Sequence, residues 1–422
     1  MDMDFVIKGN LCYCESPARL ITVPDGYLVS LDGRVDGAYA RLPDQYAKLP
    51  LVDVGEHLVL PGLNDLHVHA PQFAYRGLGM DLELIEWLNT RAFPEESQYS
   101  DLKYAQRAYD LFVDAMRRSA TTRLACFATL HVPATLLLME KLEAAGLRGF
   151  VGKVSMDRNS PDILCERSAQ AAAQDVETWL VESRRRFTHI QPILTPRFIP
   201  SCTDALMASL GDLMRRYEVP LHSHLSENRT EIRWVEQLRP DAASYADAYD
   251  RHGMLTPRTI MAHVVYPEVD EIDLLRERGV MVAHCPASNM NIRSGIAPVR
   301  RLLKAGVKVG LGTDVAGGQT IDMMRAVTDA VQVSKLYWRL IDQKQAALTI
   351  AEALYLATKG GGAFFGKVGS FERGYETDVI IVDDTALPHP QPMTVAERVE
   401  RALYLSGECK IVGKYVAGKQ VL

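Results

Sequence analysis

The sequence predicts an α/β fold, a (β/α)8 TIM-like barrel carrying a small β-sandwich domain formed from both chain termini. Three observations lead there. Eight apolar, strand-like runs recur between residues 63 and 315, each followed by a helical stretch, which is the pattern of parallel βα units. The first sixty residues read as β throughout. Near the end, TDVIIVD and KIVGKYVAGKQVL return to β character. The implied organisation is a sandwich made of residues 1–62 and 367–422, with a barrel over 63–366 between them.

Taken in order, FVIKGNLCYC, LITVPDGYLVSLDG and HLVLPG are short apolar stretches punctuated by Asp25-Gly26, Asp32-Gly33 and Asp36-Gly37, the dipeptides of tight hairpin turns. After Pro61 the eight runs are LNDLHVHA (63–70), TTRLACFAT (121–129), GFVGKVSMD (149–157), IQPILTPRF (190–198), VPLHSHLSE (219–227), TIMAHVVY (259–266), GVMVAHCPA (279–287) and VKVGLGTDV (307–315). Between them, DALMASLGDLMRRYE and VDEIDLLRERG carry apolar residues at helical spacing. Thr349 and Glu352 in TIAEALYLATKG have the spacing of a capping box that opens one more helix. The Gly-rich GGGAFFGKVGS then leads back to β.

Composition excludes several classes. The 422 residues carry 47 Lys+Arg against 53 Asp+Glu, a net charge of −6. Without a basic block this argues against a nucleic-acid partner, which needs a cationic footprint. With 47% hydrophobic and 24% charged residues, the chain has the balance of a globular protein. No run of eighteen apolar residues occurs, so no membrane span is expected. MDMDFVIKGN lacks the basic start of a signal peptide. The seven cysteines are odd in number and scattered. Cys12 and Cys14, the one close pair, read as reduced packing residues. These features point to a cytoplasmic protein.

Histidine placement carries the chemistry. His67 and His69 are two apart on the first barrel strand, so alternation puts both on one face at its C-terminal end, where barrel active sites lie. His222 and His224 repeat this on strand five, followed by Glu227; His263 ends strand six and Asp314 ends strand eight. A lone His-x-His is more often incidental than a ligand pair. Four strand ends that all supply imidazole or carboxylate converge on one mouth, and this is a donor set that Zn²⁺ or Fe²⁺ accepts.

In PGLNDLHVHA, HSHLSEN, MAH, HCPASN and GLGTD the chain resembles the amidohydrolase superfamily, in its mononuclear-metal deaminase branch. More locally HAPQFAYRGLG, EWLNTRAFPEE, FATLH, GKVSMD, TPRFIPSC, HLSENRTEI and GTDVAGG are similar to the guanine deaminase family, over about residues 4–420. SNMNIRSG departs at Asn291 and Arg293, where relatives often carry Leu- and Ser-rich residues.

The resemblance implies that His67, His69, His224 and Asp314 hold one metal ion, zinc with iron as the alternative, and that His263 is either a further ligand or the group that fixes the reacting water. It implies that Asp314 takes a proton from that water and that Glu227 is the proton shuttle. Guanine is the implied substrate, yielding xanthine and ammonia, and a homodimer the implied assembly. For recognition, Gln72 and Arg197 offer hydrogen bonds to a purine, Phe198 offers a stacking face, and Trp87 and Leu88 resemble the family's pocket-closing helix. His131 either lines the pocket or is a structural imidazole, and His222 is expected to buttress His224.

Other readings are weaker. Ring-opening hydrolases with two metals need a bridging lysine at the end of strand four, and that position here carries Arg197, with Lys153 on strand three the only nearby candidate. Cytidine-type zinc deaminases are excluded because no P-C-x-x-C occurs. A non-catalytic binding protein would be marked by loss of a ligand or of the shuttle, and all are present. Another purine, a pterin or an aminotriazine remains the alternative substrate.

Overall fold

The computed structural model describes residues 4–422. Four strands open the chain: β1 (Phe5–Ser16), β2 (Arg19–Leu31), β3 (Arg34–Tyr39) and β4 (Leu51–Pro61). Then follow β5 (Leu63–His69), β6 (Thr121–Phe127), β7 (Arg148–Gly152), β8 (Val154–Ser155), β9 (Ile190–Pro192), β10 (Thr195–Pro196), β11 (Leu221–Leu225), β12 (Thr259–His263), β13 (Met281–His284) and β14 (Lys308–Leu311). The last three are β15 (Val379–Asp383), β16 (Lys410–Val416) and β17 (Lys419–Gln420).

All eight apolar runs contain strand. The third and fourth are each interrupted, giving β7 with β8 and β9 with β10. In the fourth run Pro192 and Pro196 lack the N–H that a continuous ladder needs. The middle strands form two parallel four-stranded sheets, β5-β6-β7-β9 and β11-β12-β13-β14. A parallel bridge from Leu194 to Leu221 joins one pair of edges. Backbone bonds from Asp314 N to the His67 carbonyl (2.8 Å) and from His69 N to the Val315 carbonyl (3.1 Å) join the other. Leu66, Ala125, Ile193, Ile260, Ala262, Met281 and Ala283, drawn from both sheets, pack as one buried cluster. The larger apolar cluster joins strand residues such as Val68, Leu124 and Val151 to helices such as Leu102–Arg118 and Met323–Leu340.

The two chain ends meet in one seven-stranded sheet, ordered β17-β16-β15-β4-β1-β2-β3. Arg123 fastens it to the middle of the chain, donating to Asp378 (2.6 Å) and Glu376 (2.7 Å). Cys12 and Cys14 are buried packing residues of β1, as expected. The capping box forms as well: Thr349 N–H donates to Glu352 (2.8 Å) and Glu352 N–H to Thr349 (3.2 Å).

Of the three expected hairpin turns only Asp32-Gly33 is one, with φ of 48° and 71°, the left-handed pair of a two-residue turn. Asp25-Gly26 lies inside β2, beside a register shift opposite Gly9–Leu11. Asp36-Gly37 lies inside β3 beside a second shift. At Asp25 a positive φ of 46° serves a bulge instead of a turn, and at both sites the strand continues beyond the register shift.

Candidate functional site

The C-terminal ends of β5, β11 and β12, with the residues following β14, bring five ligand-type side chains together. Nε2 of His69 lies 3.2 Å from Nε2 of His67 and 3.3 Å from Nε2 of His224. Oδ1 of Asp314 is 3.1 Å from His67 and 3.4 Å from His69, and its Oδ2 is 3.8 Å from Nε2 of His263. His67, His69 and His224 offer ligand atoms within 4.8 Å of one another, and so do His67, His263 and Asp314.

Local backbone geometry sets this up. The β5–β6 ladder shifts register between Asp65 and Val68, so the alternation counted from sequence is broken just where His67 sits. Gly312 allows the close approach of the next wall, since a Cβ there would fall 2.8 Å from the His67 Cβ. His263 and Asp314 hold φ of 76° and 46°, a left-handed conformation that costs a non-glycine residue about 1–3 kcal/mol and persists only where surroundings enforce it.

The protonation pattern fits a cation. The Arg197 carbonyl accepts a hydrogen bond from Nδ1–H of His224 at 2.6 Å, and Asn289 Oδ1 lies 2.9 Å from Nδ1 of His263. Both imidazoles therefore point an Nε2 lone pair inward, and Nε2 of His263 is buried with no hydrogen-bond partner. Burial, then the neighbouring imidazoles, hold His67, His69 and His224 well below the usual histidine range, so these rings are neutral. Lone pairs of neutral imidazoles crowded beside a carboxylate are the donor set that a divalent metal satisfies.

His222 corrects one expectation. Its Nε2 meets Nδ1 of His67 at 2.7 Å and does not buttress His224, whose Nδ1 is taken by Arg197. Both histidines of β11 pack against the His67 ring, with centroids 4.8 Å from it, but only His222 meets its Nδ1.

Above the cluster a cavity is lined by His69, Gln72, Leu84, Trp87, Leu88, Arg197, Phe198, His224, Glu227, His263, Ile292 and Asp314. Glu227 stands 3.5 Å from Nε2 of His263 and accepts from Ser294 Oγ at 3.2 Å. Burial, then the Asp314 carboxylate, push its carboxyl well above the usual range. Arg197 forms a buried two-pronged ion pair with Glu96. Burial works against its charge, and the Glu96 carboxylate outweighs this to hold its pKa above the usual value. Phe198 packs edge-on against Trp234 with centroids 6.3 Å apart. Trp87 lies against Tyr75, its Nε1–H buried without a partner.

His131 is not among the lining residues; it immediately precedes the helix Val132–Ala144 without a side-chain capping bond, and its Nε2 is buried and unpartnered. Asn291 faces away from the cavity, donating to the Gly317 carbonyl (2.9 Å) and Gln319 (2.8 Å), while Ile292 lines the wall. The sequence reading missed Leu84, Ile292, Ser294, Asn289 and Glu96. Ile292 and Ser294 flank the departing Arg293, and Glu96 ends the quoted EWLNTRAFPEE, so proximity to those motifs was the available signal.

The chain belongs to the amidohydrolase family, whose model matches residues 58–421. Guanine deaminases are the relatives it is similar to over most of its length. The probable guanine deaminase of Schizosaccharomyces pombe is 40% identical over 78% of this chain and 64% of its own, so the match spans less than two thirds of that relative. The guanine deaminase of Mus musculus is 38% identical over 86% of this chain and 82% of its own. Among solved structures, guanine deaminase from C. acetobutylicum with bound guanine in the active site superposes with a TM-score of 0.96, at 39% identity, over 99% of this chain and 100% of that one.

Proposed function

We propose that the protein hydrolyses guanine to xanthine and ammonia. One juxtaposition carries the reading: Arg197 and Gln72, donors suited to a purine oxygen, line the same cavity as Glu227 and the metal-type cluster, in a chain whose relatives are guanine deaminases. His67, His69, His224 and Asp314 would hold the ion, zinc with iron as the alternative, and His263 aims its free lone pair at the same point. The ion supplies Lewis acidity and a water made acidic enough to react at neutral pH.

The chain's own groups do the rest. Asp314 accepts a proton from the attacking water. Glu227, its carboxyl protonated, gives a proton to the ring nitrogen beside C2, which makes that carbon electrophilic. The C–O bond forms; Glu227, now a carboxylate, takes the proton of the new C2 hydroxyl and relays it to the amine, the C–N bond breaks, and the proton on Asp314 returns to Glu227, so guanine and water become xanthine and ammonia. Positioned proton transfer of this kind contributes about 10²–10⁴-fold. Phe198 and Trp87 exclude water and flank the ring, with Leu88 beside them.

The cross-edge bonds and the shared cluster support reading the two parallel sheets as one closed (β/α)8 barrel over residues 63–366. The seven-stranded sheet would be the small sandwich of 1–62 and 367–422. Among the described residues no helix is long and apolar enough to cross a membrane; a cytoplasmic homodimer is the proposed state. The experiment is ammonia release from guanine, adenine, cytosine, a pterin and an aminotriazine by metal-loaded protein. Guanine should be deaminated by far the fastest. Preference for any other member would overturn the assignment.

A further inference from the structure

Glu96 has no role in the chemistry above, yet both recognition side chains are tied to it. It closes the short helix Phe93–Glu96 and is 4% exposed. Its Oε1 accepts from Nε2 of Gln72 at 2.8 Å and from Nη2 of Arg197 at 3.0 Å, while Oε2 accepts from Nη1 of Arg197 at 2.5 Å. The far end of Gln72 is also held, because its Oε1 accepts from Ala316 N–H at 3.0 Å. A backbone N–H only donates and a carboxylate only accepts, so one orientation of the Gln72 amide satisfies both. The guanidinium is fixed as firmly: two of its five N–H groups are spent on Glu96, and its carbon lies 5.0 Å from the centroid of Phe93, on the same short helix. The adjacent Glu95 is only half-buried and accepts from the Tyr104 hydroxyl.

We propose that Glu96 is a specificity-determining positioning residue: it holds Arg197 and Gln72 so that their remaining N–H groups form one donor edge toward the cavity, which selects a 6-oxopurine. The inference rests on the proposed guanine reaction. It deepens that reading, because the O6 and N7 of guanine are adjacent acceptors and lie across the ring system from C2. A donor edge at Arg197 and Gln72 thus turns the C2 amine toward Glu227 and Asp314. Without Glu96 the amide is free to flip and the guanidinium to swing, and the donor edge is lost although every donor remains.

The test compares guanine with 2-aminopurine, which has the same C2 amine and N7 but no O6. Wild type should favour guanine. Glu96→Gln should shrink the guanine to 2-aminopurine ratio of kcat/KM by about tenfold or more, the effect of an unmade hydrogen bond to a charged group. The loss should fall mainly on KM for guanine, with metal content and 2-aminopurine turnover within a few-fold of wild type. Glu96→Asp, which keeps the charge on a shorter arm, should be intermediate, and it carries the test if the glutamine variant does not fold. An unchanged ratio, or an equal loss on both substrates, overturns the inference while leaving guanine deamination intact. A wild type that does not turn over guanine overturns the functional reading and this inference together.

Discussion

Nδ1 of His67 lies 2.7 Å from Nε2 of His222, and both rings are fully buried. A His67 that offers Nε2 to a metal must carry its proton on Nδ1, and His222 is the acceptor that fixes this tautomer. Removing such a partner typically costs 10–100-fold in metal affinity. His222→Leu is therefore expected to bind zinc about 10–100-fold more weakly, measured by competition with a chromogenic chelator, with the fold retained. Wild-type affinity in that variant would show that His222 only fills space.

On the proposed reading Glu227 moves a proton and does not hold the metal: it lines the cavity 3.5 Å from Nε2 of His263 but is in neither ligand-type group, His67–His69–His224 or His67–His263–Asp314. Glu227→Gln keeps the shape and an oxygen to accept from Ser294, but cannot carry a proton. Turnover should fall by about 10² or more with the metal content, read by elemental analysis, unchanged. Parallel loss of metal would make Glu227 a ligand.

The parts of this molecule that follow from local rules were legible before the structure. Strand runs ending in His67-x-His69, His222-x-His224, His263 and Asp314 announce a cluster at one end of the parallel strands because residue type and strand position both point there. What depends on a distant segment was not legible. The partner of His222 is His67, on β5 and 155 residues away, a contact that alternation within β11 does not give. Glu96 sits on a four-residue helix with no periodicity to place it, and its partner Arg197 is 101 residues away. The Asp25-Gly26 bulge needed the ladder opposite to distinguish it from a turn.

Glu271 accepts from Ala246 N–H at 2.8 Å and Ser226 Oγ at 3.0 Å, and burial raises its carboxyl from 4.5 to about 7. The folded protein thus keeps a proton that the unfolded chain releases between these two values. Its contribution to stability is full below pH 4.5 and is lost as pH rises through about 7, with a slope of at most about 1.4 kcal/mol per pH unit. Glu231, also raised to about 7, adds a second loss of the same sign. Glu271→Gln has no proton to lose, and its amide oxygen still accepts from Ala246. The fall in wild-type Tm from pH 5 to 7 should be shallower in this variant. Parallel Tm profiles would remove Glu271 as a source of the pH dependence.

The choice of arginine at position 197 is itself testable. Its guanidinium satisfies both oxygens of Glu96 at once and still has N–H groups to offer a purine oxygen, whereas a lysine ammonium is a single point charge on a flexible stem. Arg197→Lys should therefore keep the buried charge balanced and the protein folded, yet lose the donor geometry. We expect kcat/KM for guanine to drop by about 10–100-fold, on the order of one or two hydrogen bonds to a charged group. The metal content should not change, because no ligand atom is touched. Arg197→Ala should be worse in a second respect: it leaves the Glu96 carboxylate buried and uncompensated, a defect that typically costs about 3–5 kcal/mol, so its Tm should fall as well. Steady-state kinetics with guanine and a thermal melt on the two variants separate these effects. Full guanine activity in Arg197→Lys would show that charge alone suffices and that the planar fork contributes nothing to recognition.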